Sequence, residues 1–211
     1  MLLPQLIYMG LLDHIKKIEN NMKNIVLEKE NFHTQRNNKN LPQETCNVTS
    51  CANFIEAAKL PHYEFEGEQL EDSLYRILQT DWAKKHRDLN VYWYKGVHTL
   101  QENIAMLSWA MNIFCTNIFN DPVCKFGQID NNLLINKIKK KEPVLILGDF
   151  IKGKKNSHYV TVIGNDSRKL YLADPWGDHN TNYKEHYGYC TELPIKQLDK
   201  FWSGKYAITL V

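Results

Sequence analysis

The chain has 211 residues, 43% of them hydrophobic and 24% charged, which fits one sizeable globular core rather than a disordered chain. A formal net charge of +2 gives no electrostatic case for nucleic acid or an anionic membrane as partner. Five cysteines, an odd number without zinc-site or disulfide-framework spacing, imply free thiols in a reducing, cytoplasmic setting.

Met1 to Leu12 is mostly apolar but lacks the basic opening and small-residue cleavage site of a signal peptide. Asp13, His14, Lys16 and Lys17 cut the run short of the ~20 residues a membrane span needs. Leu11, Ile15, Ile18, Met22 and Ile25 step by four and three, which predicts one helical stripe. Residues 1–30 therefore read as a helical extension and 31–211 as the main domain.

Glu28 to Asn38 reads as extended and polar, leading into a loop through Pro42. Val48, Cys51, Ala52, Ile55 and Ala58 mark a helix over Thr45–Lys59, and Leu70, Leu74, Ile77, Leu78 and Trp82 mark another over Gln69–Lys85. Further helices are expected over Leu100–Phe114 and Ile129–Lys141, so that 61–141 forms a helical insert carrying Tyr92, Trp93, Tyr94 and Trp109. Beyond Pro143 the pattern changes. Val144–Leu147 is a short apolar run, Tyr159–Gly164 is β-branched and alternating, and Asn165-Asp166-Ser167 turns it into Lys169–Asp174 as a hairpin. A last strand covers Lys205–Leu210. Helices first and an antiparallel sheet afterwards make an α+β protein.

A thiol attacks a carbonyl efficiently only as thiolate, and a helix start or a nearby imidazolium favours that form. Cys46 stands where a helix begins, and its backbone N–H, unpaired in the first turn, points to where an oxyanion would form. Cys51 falls on the inward face of the same helix and reads as core. His158 opens a strand at a sheet rim, and across the hairpin Asp174 falls almost opposite, near enough to hold an imidazole N–H. Cys46, His158 and Asp174 thus supply a nucleophile, a base and its orienting acid. His62, His86, His98, His179 and His186 are scattered without metal-ligand spacing, and Asp149 and Asp178 read as solvated loop acids.

The segments Gln35-Arg36-Asn37-Asn38, Cys46-Asn47-Val48-Thr49-Ser50, His158-Tyr159-Val160 and Asp174-Pro175-Trp176-Gly177 resemble the papain-like peptidases of the bacteriocin-processing type, cysteine peptidase family 39 and its C39-like relatives, many of them bacterial or phage proteins. The resemblance covers Asn31 to Ala58 and Pro143 to Gly177, and departs from the family at Asn37, where relatives usually carry an acid. It implies a papain-like fold, with Cys46 as nucleophile, His158 as general base and acid, and Asp174 as orienting group. It also implies that Gln35 donates its amide to the oxyanion hole. Gln43, three residues before Cys46, is the competing glutamine, and the sharp turn from Pro42 to Thr45 favours Gln35.

The activity so implied is a thiol hydrolase of amide bonds, with no metal or organic cofactor. Relatives cut peptide leaders or, in phage lysins, peptidoglycan peptides. An endolysin-type peptidase acting on the cell wall after release is one expectation. A papain-like acyltransferase and a non-catalytic binding protein on the same fold are the others. Oligomeric state is not legible.

Overall fold

The computed structural model describes residues 23–62, 65–79, 100–115 and 122–211, without the side chains of 100–106. The expected helical stripe over 11–22, the helix over 80–85 and the aromatics Tyr92, Trp93 and Tyr94 lie outside the described residues.

The strands are β1 (Asn24–Ile25), β2 (Cys124–Gln128), β3 (Val144–Gly148), β4 (His158–Asn165), β5 (Lys169–Ala173), β6 (Tyr189–Pro194) and β7 (Tyr206–Leu210). The helices are α1 (Cys46–Ala57), α2 (Leu70–Leu78), α3 (Leu100–Cys115), α4 (Asn131–Lys139) and α5 (Leu198–Phe201). The strands form one antiparallel sheet in the order β2-β7-β3-β4-β5-β6, with β1 added against β4 beyond the start of β3. The α+β expectation therefore holds.

Alternation along the strands builds two cores. Leu145, Leu147, Tyr159 and Ile208 face α1, α2 and α3, where they meet Val48, Ile55, Leu74 and Met111. Val144, Ile146, Val160, Val162 and Ala207 point the other way, against Leu134 and Ile138 of α4 and Leu198 and Trp202 at α5. β3 is buried along its whole length because helices cover both faces.

Three expectations need correction. Ile25 belongs to β1 and not to a helix, and Lys29–Asn31 and Gln35–Asn37 are 3-10 turns within the segment read as extended. β2 and β6 carry no alternation strong enough to announce them: Cys124-Lys125-Phe126-Gly127-Gln128 holds one glycine and two polar residues, and β6 contains Glu192 and Pro194. Edge strands are solvated on one side, so such residues are tolerated there.

His33 ties the segment between the 3-10 turns Lys29–Asn31 and Gln35–Asn37 to the helical layer. Its Nδ1 lies 2.6 Å from Glu71 Oε2 and its Nε2 3.9 Å from Glu56 Oε1. Burial works against its charged form, but the two carboxylates outweigh it and lift His33 to about 9. A histidine whose folded value exceeds its unfolded ~6.5 stabilises the fold fully below that value and loses the contribution as pH rises through the folded one. The urea-stability difference between the parent and His33→Gln should therefore be largest below about pH 6.5, on the order of 2 kcal/mol, and shrink by pH 9–10. A pH-independent difference would contradict the charged bridge.

Candidate active site

Cys46 is the first residue of α1, whose N-cap Thr45 makes no side-chain capping bond. The first-turn amides are thus not consumed by a cap, and the helix dipole adds positive character there. α1 is fixed to the sheet by two reciprocal bonds: Ser50 Oγ donates to Tyr159 O at 2.8 Å, and Thr161 Oγ1 donates to Ser50 O at 2.7 Å. That seam sets the nucleophile's turn of helix against the strand that begins with His158.

His158 Nε2 lies 2.7 Å from Asp174 Oδ1, with both side chains buried. The other ring nitrogen is left for the Cys46 thiol, whose interaction with the imidazole favours the charged ring. Burial opposes the imidazolium, yet Asp174 first and Cys46 second favour it, and His158 is pushed up to about 10. The structure therefore brings Cys46, His158 and Asp174 together.

The route to that contact differs from the expected one. Thr161 faces Ala173, so Asp174, one residue past β5, falls beside Val160 rather than His158. A β-bulge between Val162 and Gly164 shifts the register. Residues 158 and 160 share a face of the strand, and the imidazole reaches the carboxylate along the diagonal.

Asp174 is held firmly. Its Oδ1 also accepts from Trp176 N at 3.0 Å, and its backbone N–H donates to Gly188 O at 2.9 Å. A Cβ at Gly188 would stand 1.9 Å from Asp174 O, so only glycine lets the two backbones approach this closely.

Gln35 is buried and stitched to the same corner: its N–H donates to Pro175 O at 3.1 Å and its Nε2 to Pro42 O at 2.7 Å. Next to it, Arg36 donates from Nε to Trp176 O at 2.8 Å and stacks on the Trp176 ring at 3.8 Å. The Asn38 amide lies within 3.0 Å of the Thr45 and Thr49 hydroxyls at the start of α1. The segment thus bridges the amino end of α1 and the Asp174 turn. Gln43, by contrast, is exposed.

A model of the Peptidase C39 like family matches residues 29–204, a span that includes Gln35, Cys46, His158 and Asp174. The chain belongs to that family. The crystal structure of a candidate C39-like peptidase from Bacillus anthracis shares the fold, with a TM-score of 0.56 at 17% identity over 90% of this chain and 98% of that one. No curated protein matches the chain. The C39-like fold is thus established here by sequence and by shape.

Two groups of this C39-like site escaped the sequence reading. His179 and Tyr183 both come close to Asp174, His179 with Nδ1 3.9 Å from Oδ2 and Tyr183 with a phenol that burial and the nearby carboxylate both keep protonated. Asp178 is no simple solvated acid either: its Oδ1 accepts from Asn180 N and shapes the turn that carries both. The bracketing glycines Gly177 and Gly188 were the available signal of a tightly built turn. Asp149 likewise closes a loop, accepting from Asn156 N at 2.5 Å and Ser203 Oγ at 2.7 Å. Among the described residues, no cluster of three or more His, Cys, Asp or Glu side chains is placed to hold a metal ion, and no helix is long and apolar enough to cross a membrane.

Proposed function

We propose that this protein is a thiol hydrolase of peptide amide bonds. The Cys46 thiol passes its proton to His158, its sulfur attacks the carbonyl carbon, and the oxyanion is received by the Cys46 N–H and the Gln35 side-chain amide. His158 gives its proton to the leaving amine, and an acyl-enzyme thioester remains. Water, losing a proton to His158, then attacks the thioester and releases the acid. Asp174 keeps the imidazole oriented and stabilises its charged form.

One observation carries this reading: a buried imidazole lies between a carboxylate at 2.7 Å and a thiol at an uncapped helix start. Membership of the Peptidase C39 like family supports a peptide as substrate. Peptidoglycan stem and cross-bridge peptides form the narrower substrate class, and transfer to an amine is the alternative fate of the acyl-enzyme.

The test combines labelling with product analysis. Burial holds the other thiols in their protonated form: Cys51 well up, Cys115 at about 12, Cys124 at about 11, and Cys190 raised as well. Iodoacetamide near neutral pH should therefore label Cys46 first, and labelling should remove hydrolysis in step. Peptides and soluble muropeptides, each with and without added amine, separate hydrolysis from transfer by mass spectrometry. First labelling at Cys190, or cleavage that survives full modification of Cys46, would sink the assignment.

A further inference from the structure

Three buried polar groups at the Asp174 corner have atoms that lack hydrogen-bond partners. Asp174 Oδ2 accepts no hydrogen bond, both ring nitrogens of His179 are without partner, and so is the Tyr183 hydroxyl. The His179 side chain is 1% exposed and that of Asp174 0%, so water from bulk does not serve them. Unpaired buried polar groups are costly and rare, and several in one place call for a shared explanation.

Their neighbourhood holds them in place. The His179 ring meets Phe150 and Phe201 edge to face, at 5.3 and 5.5 Å between centroids. The Tyr183 ring stands edge-on to His158 at 5.8 Å. Tyr183 and its predecessor Asn182 both have left-handed backbones, φ 62° and 53°, a conformation that a bulky side chain rarely adopts. Bonds from Asn182 N to His179 O and from Tyr183 N to Asp178 O sustain it. Such strain persists where the surroundings over-determine it, and here it turns the phenol inward.

We propose that His179 and Tyr183 are positioning residues that clamp the second carboxylate oxygen of Asp174, His179 through Nδ1–H and Tyr183 through its hydroxyl. This rests on the roles given above to Cys46, His158 and Asp174. One carboxylate oxygen has two lone pairs and accepts both donors. So gripped, the carboxylate does not rotate, and Oδ1 stays on His158 Nε2. Burial keeps His179 below its usual value and hence neutral, against the opposing pull of Asp174 and Asp178. The other charged or titratable groups that face this corner are His158, Cys46 and Arg36.

Hydrogen exchange of the His158 Nε2–H, followed by NMR in the full chain, tests the clamp without needing turnover. Tyr183→Phe keeps the ring against His158 and removes only the donor. Exchange should quicken about tenfold, with kcat falling about tenfold at unchanged KM, the usual scale for one lost hydrogen bond to a charged group. His179→Leu should do the same, whereas His179→Asn, which keeps an N–H near the Nδ1 position, should stay near the parent. Parent-like exchange in both Tyr183→Phe and His179→Leu overturns the clamp. If the parent itself fails to turn over, the exchange data still decide on the clamp, and the failure belongs to the catalytic reading instead.

Discussion

Cys46→Ala is expected to abolish turnover, His158→Ala to do the same, and the double variant to be no slower than either single one. Nucleophile and base act as a unit, so removing one already forfeits what both supply, on the order of 10⁶ in kcat. Non-additivity is the discriminating part. If the thiol and the imidazole served separate purposes, the losses would multiply, and the double variant would fall well below both singles. Each variant must first be shown folded by circular dichroism, because His158 is buried against Asp174 and its loss leaves an unpaired carboxylate in the core. Steady-state kinetics on a peptide substrate gives the answer, and full activity in Cys46→Ala would end the proposal.

The second large effect is at Gln35. Gln35→Ala should lower kcat by ~10²–10³ with little change in KM, the result of losing one donor that bonds the oxyanion more strongly than the ground-state carbonyl. Gln35 Nε2 already gives one proton to Pro42 O, and an amide nitrogen has a second to offer. Gln43→Ala should remain close to the parent, since that side chain is exposed. The reverse ranking would move the oxyanion hole to Gln43. Equal, small effects would leave the backbone N–H of Cys46 as the sole donor.

The parts of the molecule that were legible in advance share one property: their residues announce a period. α1 was marked by Val48, Cys51, Ala52 and Ile55 on one face, and β4 and β5 by β-branched and alternating residues around a polar turn. β1, β2 and β6 were not legible, because two residues have no period and edge strands carry polar side chains without penalty. At the site, the approach of His158 to Asp174 could be anticipated from the hairpin, although Asp174 falls opposite Val160, two residues from the expected partner. His179 and Tyr183 could not. Their approach to Asp174 depends on two consecutive left-handed residues, neither of them glycine; Asn182 is of a type that tolerates this conformation, but nothing in Tyr183 signals it.

The seam between α1 and β4 also fixes an order of events. Ser50 and Tyr159 are 109 residues apart, and the Cys46 thiol and the His158 imidazole lie near opposite ends of that gap. A chain emerging amino end first carries the sulfur long before the imidazole exists, and the two meet only once the sheet has closed behind the helices. Until then Cys46 is an ordinary thiol. On the proposed reading, hydrolysis is therefore a late product of folding, absent from a half-made or partly unfolded chain.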